Sequence, residues 1–287
     1  MKRIVRLGGP KCWKRAYAVF VLCVATAIAL PAQTFTTLHV FDGTDGYFTR
    51  APLVQATNGN FYGTTVDGGV NYGKASSNCS TPPNGEGCGT VFEISPNGTL
   101  TTLHSFCADI KPCKDGFFPY GLVQATDGNF YGTTQNGGTN GRGTVFKITP
   151  SGTLTTLHSF CAQTNCADGA QPFAGLVQGT DGDFYGTTGT GGTSYGTAFK
   201  ITPGGTLTTL YSFCSQPNCT DGAAPTALVQ AANGDFYGTT GGGGGRRLLR
   251  FALWLWDSLQ NDPERNADDA VQLPRRSSRP LGAGPGH

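Results

Sequence analysis

Positive charge is scarce in the body of this 287-residue sequence. Residues 33–240 contain seven Lys and Arg against thirteen Asp and Glu, which leaves that segment with a net charge of −6. A surface of this sign does not attract the phosphates of nucleic acid or the headgroups of an anionic membrane. We therefore expect no nucleic acid and no anionic membrane among the partners of this protein.

Long apolar runs are also missing, apart from a short one near the amino terminus. Six Lys and Arg within residues 2–15 precede an apolar run at residues 16–30, and Ala32 follows closely. About fifteen apolar residues are too few to span the hydrocarbon of a bilayer. A basic segment, an apolar run and a small residue in this order are typical of a secretory signal peptide. We predict a signal peptide at residues 1–32 and no membrane span after its cleavage.

The sequence contains one short motif, FYGTT, four times. FYGTT begins at residues 61, 130, 184 and 236, and segments similar to TTLHSF begin at residues 36, 101, 155 and 208. A unit of about 53 residues is typical of propellers and solenoids. The first full unit is longer because residues 74–88 are inserted into one of its loops.

Each unit contains four short segments rich in β-branched and aromatic residues, separated by turn formers. Those of one unit read GLVQA, NFYGTT, GTVFKIT and TLTTLHSF. The pattern predicts four strands joined by tight turns. Phe130 and Tyr131 point to opposite faces of their strand, so each unit has to bury aromatic rings against both neighbours. We expect an all-β, β-propeller-like array of four-stranded antiparallel blades, incomplete in this chain, with a β-solenoid as the alternative.

The stretch GLVQATDGNFYGTTQNGGTNGRGTVFKITPSGTLTTLHSF, at residues 121–160, resembles the unit of the GloVer tandem-repeat family of exported bacterial proteins. Residues 175–213 are nearly as similar, and the resemblance covers residues 36–240. It implies a surface or extracellular location and no established catalytic residues. The resemblance also implies a C-terminal sorting segment that differs between members, and we expect this sequence to depart from the family in that respect.

Eight of the ten cysteines follow the predicted signal peptide and form four local pairs. The pairs are Cys79 with Cys88, Cys107 with Cys113, Cys161 with Cys166, and Cys214 with Cys219. Three of the pairs come directly after the TTLHSF-like segment of their unit. An even number at repeated spacing in an exported protein predicts disulfides. Metal binding is the alternative, although structural zinc favours two to four intervening residues and further ligands nearby.

Two columns of repeated residues invite a chemical interpretation. The first is aromatic, and the second is an aspartate that precedes glycine. The columns are His39, His104, His158 and Tyr211, and Asp115, Asp168 and Asp221. An aromatic filler accounts for the first column, and a turn accounts for the second, because one carboxylate per loop is a poor ligand set for calcium. We expect no catalytic residues, no cofactor and no metal.

The repeat pattern stops at residue 240. Reading the codons of residues 251–274 one base later permits SHYGYGTLFKTTPNGTLTTLYSF, which is the missing half of a unit. We predict that a one-base slip within the codons of residues 241–245 has put residues 241–287 out of frame as a disordered or loosely helical tail. Residues 33–240 then hold three nearly complete blades and part of a fourth.

These patterns favour an exported, non-enzymatic repeat scaffold for binding or adhesion at the cell surface or outside the cell, shortened by a frameshift. Carbohydrate or cell-surface components are the expected partners. Near-identity of the units favours a scaffold, because an active site would require one unit to diverge. The alternatives are a secreted propeller hydrolase or lyase acting on polysaccharide, and a non-functional fragment of a decayed gene.

Overall fold

The computed structural model describes residues 35–72, 79, 87–108 and 112–243. The chain divides into two compact units, Met1–Thr37 and Leu38–His287, and the strands of the described residues belong to the second. The predicted signal peptide and residues 244–287 of the predicted out-of-frame tail lie outside the described residues. Within the described part of the chain, no helix has the length and apolar character needed to cross a membrane.

The described residues form antiparallel sheets whose strands follow one another in chain order. The first sheet contains β1 (Val54–Gln55), β2 (Phe61–Thr65), β3 (Thr90–Ile94) and β4 (Leu100–Ser105). The second contains β5 (Phe117–Gln124), β6 (Phe130–Asn136), β7 (Thr144–Ile148) and β8 (Leu154–Ser159). The third contains β9 (Val177–Gln178), β10 (Phe184–Thr188), β11 (Thr197–Ile201) and β12 (Leu207–Ser212). The fourth pairs β13 (Ala223–Gln230) with β14 (Phe236–Gly242), and short 3-10 turns occur at Thr164–Cys166 and Pro217–Cys219.

This arrangement confirms the predicted array of four-stranded antiparallel blades. The β-propeller-like fold is incomplete within the described residues, where the last sheet has two strands. The alternative of a β-solenoid was wrong, because a solenoid pairs parallel strands of successive coils, whereas here each repeat pairs its own strands in antiparallel register.

Neighbouring sheets are joined by rings from the repeated phrase FYGTT. Tyr131 of β6 stacks on Phe184 of β10, with 3.9 Å between ring centroids. The equivalent Tyr62 of β2 stacks on Phe130 at 4.1 Å, and Tyr185 of β10 lies tilted against Phe236 at the same distance. β6 and β10 therefore each contact the preceding sheet through their Phe and the following sheet through their Tyr, as the alternation of side chains predicts.

The rest of the phrase is fixed within the sheet. A Cβ on Gly132 would lie 2.6 Å from the Cζ atom of Phe146 on the adjacent strand, so only hydrogen fits beneath that ring. Thr134 and Thr144 share a buried hydrogen bond of 2.8 Å between their hydroxyl groups. The same glycine–ring contact and threonine pair recur in the first and third sheets. The FYGTT sequence therefore recurs because the same packing contacts recur in each sheet.

Polar groups also cross between sheets at the tight turns. The Gln124 side-chain oxygen accepts a hydrogen bond from the backbone N–H of Thr57 at 3.2 Å, across an interval of 67 residues. Gln178 and Gln230 accept the corresponding bonds from Thr126 and Thr180, at 3.1 Å each. These three glutamines therefore each hold the first hairpin turn of the preceding repeat.

Candidate functional site

The aromatic and aspartate columns of the sequence meet in the structure. The His158 Nε2 atom lies 2.9 Å from Oδ2 of Asp168, and the imidazole packs edge-on against Phe160 at 5.2 Å. Asp168 is fully buried and also accepts hydrogen bonds from the backbone N–H groups of Ala162 and Gln163, at 3.0 and 3.2 Å. The carboxylate thus ties the loop after β8 to the last strand of its own sheet.

The other repeats form the same pair. His39 contacts Asp45 at 2.6 Å, and His104 contacts Asp115 at 3.0 Å. In the next repeat the Tyr211 hydroxyl donates to Asp221 at 2.7 Å. The sequence identified the two columns as packing residues and turn residues, but it did not predict that they contact each other. In the last three pairs the two columns recur at separations of 11, 10 and 10 residues, which was the signal that could have revealed the contact. Asp45 lies outside the aspartate column and follows His39 by six residues.

A second polar cluster lies at the turn before each FYGTT strand. Asp127 accepts hydrogen bonds from Asn129, Tyr131 and Lys147, all between 2.9 and 3.0 Å. Burial opposes ionisation of this carboxyl group, but the three donors outweigh burial and lower the pKa of Asp127 to about 2. In the opposite sense, burial beside Asp127 raises the pKa of Tyr131. Lys147 and Asp127 therefore form an ion pair at this turn, in which the two charges neutralise each other.

The structure joins the four predicted cysteine pairs as disulfides, with Cα atoms 4.0–5.0 Å apart. The bonds at Cys161–Cys166 and Cys214–Cys219 close the loops that lead from one sheet to the next. Disulfides form and persist in oxidising compartments, which indicates a location outside the cytosol.

Cysteine sulfurs from two of these disulfides cluster where the first and second repeats meet. The Sγ atoms of Cys79, Cys107 and Cys113 lie within 4.8 Å of one another and are buried. Such a cluster resembles a set of thiolate ligands for zinc. Each of the three sulfurs is already bonded to another cysteine, so the disulfide interpretation explains the cluster.

The repeats also differ where each first strand begins. Between the opening bridge of each sheet and its regular pairing, the first strand contains more residues than its partner, which is a β-bulge. A residue other than glycine adopts positive φ at the start of every bulge. These residues are Phe48 (φ 60), Phe118 (φ 58), Gln171 (φ 54) and Ala224 (φ 50).

Side chains of the bulged segments meet across successive repeats. The Arg50 Nη1 atom donates to the Tyr120 hydroxyl oxygen at 3.3 Å, and the Tyr120 ring lies edge-on to Phe173 at 6.3 Å. The guanidinium of Arg50 also lies over the ring of Phe48, with its Cζ atom 4.9 Å from the centroid. The sequence analysis missed this row. Differences between the units at the start of the first strand are the signal that could have found it.

The chain is similar to solved structures of low sequence identity. One is the extracellular domain of a protein from B. thetaiotaomicron assigned as a one component system, with 13% identity and a TM-score of 0.43, covering 79% of this chain and 22% of that one. The aldose sugar dehydrogenase from Streptomyces coelicolor has 12% identity and a TM-score of 0.41, with coverages of 69% and 58%. A gluconolactonase from Xanthomonas campestris has 11% identity and a TM-score of 0.39, with coverages of 58% and 51%. This chain spans less than two thirds of the length of each.

No curated protein sequence matches this chain. The family model described as the Gloeobacter/Verrucomicrobia repeat does match, over residues 72–248. That match covers more than half of the chain and confirms the resemblance carried by the GLVQ, FYGTT and TTLHSF segments. The chain belongs to the Gloeobacter/Verrucomicrobia repeat family.

Proposed function

We propose that this protein is an exported, non-enzymatic scaffold that binds a component of the cell surface or the extracellular matrix. The supporting observation is that recurring residues and variable residues occupy different places in each repeat. Residues that recur in every repeat contact one another, whereas the residues at the start of the first strands vary between repeats and contact one another across successive sheets. Variable side chains on a constant framework are typical of proteins that bind a ligand or partner.

The recurring ionisable groups support the proposal because they are occupied by structural contacts. His158 is held by Asp168, and Lys147 is held by Asp127, at 2.9 and 3.0 Å. A general base or nucleophile has to reach a substrate, and these groups instead bond to loops and turns of their own repeat. The disulfides support export, since they stabilise a chain that folds in an oxidising compartment.

The proposal is tested with the full chain expressed with its own leader in a bacterial host. The expected product is found outside the cytoplasm, begins near residue 33 and has no free thiol among the eight cysteines of the four pairs, as measured by mass spectrometry after thiol alkylation. The purified product is then sedimented with insoluble cell-wall polysaccharide. Retention without release of new reducing ends is expected. Release of reducing ends without retention would contradict the binding role.

A further inference from the structure

The first and fourth sheets each present one face that no described sheet covers. Inside the array, the tyrosine of one sheet packs on the phenylalanine of the next, as Tyr131 does on Phe184. Tyr237 of β14 and Phe61 of β2 have no such partner among the described residues, and both rings are partly exposed. One unpaired ring of the repeated contact therefore remains at each end of the array.

Two faces are defined by the residues beside these rings. Gln55 lies opposite Phe61 on the paired strand, and Leu53 points to the same side, so these three residues form what we call the leading face of the first sheet. Val229 lies opposite Tyr237, and these two residues form what we call the trailing face of the fourth sheet. In the interior of the array, every trailing face meets the leading face of the next sheet.

Apolar side chains on both faces are exposed, although their equivalents inside the array are packed. Leu53 is 51% exposed, whereas the equivalent Leu122 and Leu176 are 9% and 6% exposed. Val229 is 60% exposed, whereas its equivalent Val123 packs against the apolar cluster that contains Leu176 of the next sheet. Stacking a trailing face on a leading face would remove this apolar surface from water, which is favourable.

The polar contact between neighbouring sheets is also unmade at both faces. Inside the array, the glutamine of one sheet accepts a hydrogen bond from a backbone N–H in the first turn of the preceding repeat, at 3.1–3.2 Å. Gln55 occupies the acceptor position in the first sheet, and the Ala232 N–H occupies the donor position in the fourth repeat. Both residues are exposed, and no described residue bonds to either group. The two faces therefore offer each other an acceptor and a donor.

The remainder of the first sheet is covered by its own chain. Phe41 lies edge-on to Phe92 at 5.2 Å, as Phe106 lies to Phe146 at 5.3 Å. Leu38–Phe41 thus occupies the place of the last strand of a preceding repeat, whereas β13 and β14 are the first two strands of a repeat. The ring contact and the glutamine bond between neighbouring sheets both come from these first two strands. The two-stranded fourth sheet therefore carries the groups that the leading face lacks.

We propose that the partner of these faces is a second copy of this chain, whose trailing face stacks on the leading face as one sheet stacks on the next inside the array. The contact is heterologous, because two different surfaces meet, and such contacts close into rings when the rotation between copies permits. Two copies of the four described sheets make eight, and closed propellers usually contain about four to eight. The expected assembly is therefore a ring of two copies held by two identical junctions.

Sedimentation equilibrium of the full secreted chain tests this proposal, and twice the mass of one chain is expected. Leu53→Lys on the leading face and Val229→Lys on the trailing face each place a charge in an apolar contact. Each is expected to raise the dissociation constant of the dimer about tenfold or more. Val70→Lys is the matched control, because Val70 is 50% exposed in the loop after β2 and belongs to neither face. It is expected to leave the dissociation constant unchanged.

A mixture of the two variants distinguishes this contact from a symmetric one. The Leu53→Lys chain keeps an intact trailing face, and the Val229→Lys chain keeps an intact leading face. The mixture is therefore expected to form a heterodimer at concentrations at which neither variant associates alone. All three replaced side chains are exposed, so the variants are expected to fold, and unchanged near-UV circular dichroism checks this.

The remaining outcomes would count against the proposal. A parent chain that is monomeric at every attainable concentration would overturn it, and so would a dimer whose dissociation constant neither face variant changes. A mixture that associates no more than its two components would overturn the pairing of a trailing face with a leading face. Assemblies larger than two copies that both substitutions disrupt would support the contact and overturn the closed ring. Retention on polysaccharide is measured separately, so the binding role proposed above stands or fails independently of these results.

Discussion

At the scale of single residues, the contacts of the repeated FYGTT segment explain why its residues recur. Phe130 and Tyr131 stack on rings of the preceding and following sheets, at 4.1 and 3.9 Å. The Thr133 hydroxyl donates to the backbone oxygen of Ala174 in the next repeat at 2.8 Å. In the third sheet the equivalent Thr187 hydroxyl is buried without a hydrogen-bond partner. The contact between the third sheet and the two-stranded fourth sheet therefore lacks a bond that the second and third sheets share.

The natural exchange of His for Tyr between repeats provides a matched pair of variants. His158→Tyr keeps a donor for the buried Asp168, as Tyr211 does for Asp221, whereas His158→Phe keeps only the ring. We expect His158→Phe to lower the free energy of unfolding by about 1–3 kcal/mol, because a buried carboxylate loses a partner. His158→Tyr is expected to cost less. Urea unfolding monitored by circular dichroism measures both, and equal midpoints for the two variants would show that the hydrogen bond contributes nothing.

The depressed pKa of Asp127 predicts a dependence of stability on pH. Its folded pKa of about 2 lies below the ordinary value of 3.8, so the carboxylate stabilises the fold above pH 3.8. This contribution is lost as the pH falls towards 2. Because the side chain is 41% exposed, solvent screening limits the effect to less than about 1 kcal/mol.

Asp127→Asn is therefore expected to destabilise the protein at pH 6 and to have almost no effect at pH 2. Urea unfolding of the parent chain and the variant at both pH values tests this. A penalty of the same size at both pH values would contradict the assignment of the effect to the carboxylate charge.

At the scale of strands and sheets, local patterns were sufficient to predict the elements. Alternation within FYGTT and the turn formers between the segments predicted the strands and the tight turns. One such turn forms at Asp127, whose side chain accepts a hydrogen bond from the Asn129 N–H at 3.0 Å. The bulges at the start of the first strands were not predicted. A bulge depends on how many residues the partner strand opposes, and that number is a property of the pair of strands and not of either one alone.

The glycine of FYGTT offers a test at this scale. Gly132→Ala would place a methyl group 2.6 Å from the fully buried ring of Phe146, which has no space to move aside. We expect a loss of about 1–3 kcal/mol in the free energy of unfolding. Thermal unfolding of the variant beside the parent chain measures it.

Gly204→Ala is the matched control for this substitution. Gly204 is exposed, has no positive φ, and a Cβ there would meet its nearest atom at 3.8 Å. Its effect is expected to stay within about 0.5 kcal/mol. A similar loss for both variants would mean that the general cost of replacing glycine, and not the ring of Phe146, explains the result.

At the scale of the whole molecule, the fourth sheet has two strands and ends at the place where the reading frame is predicted to shift. Within the described residues β14 pairs with β13 alone, so its other edge presents unpaired backbone groups. The predicted frameshift stays a prediction, since residues 244–287 lie outside the described part of the chain and Gly241 and Gly242 belong to β14. Restoring the frame by one base within the codons of residues 241–245 is expected to extend the repeat and to supply β14 with a further strand.

The restored product is expected to unfold at a higher temperature than the present chain, because a covered edge adds hydrogen bonds and buries apolar surface. Differential scanning calorimetry of the two secreted proteins provides the measurement. Sequencing the gene in related strains is the complementary control. Intact genes that encode the same residues 246–287 would contradict the frameshift.

The sequence by itself determined the repeat, the class of fold and the cysteine pairing, because each depends on spacing within one unit of about 53 residues. It also identified the aromatic and aspartate columns, though not their contact. Only the tertiary structure decided that Arg50 and Tyr120, 70 residues apart, share a hydrogen bond and that Phe173 lies beside them. These residues come from different repeats and have no common motif. They meet because successive sheets stack on the tyrosine and phenylalanine rings, and the stacking brings the same edge of every sheet to the same surface.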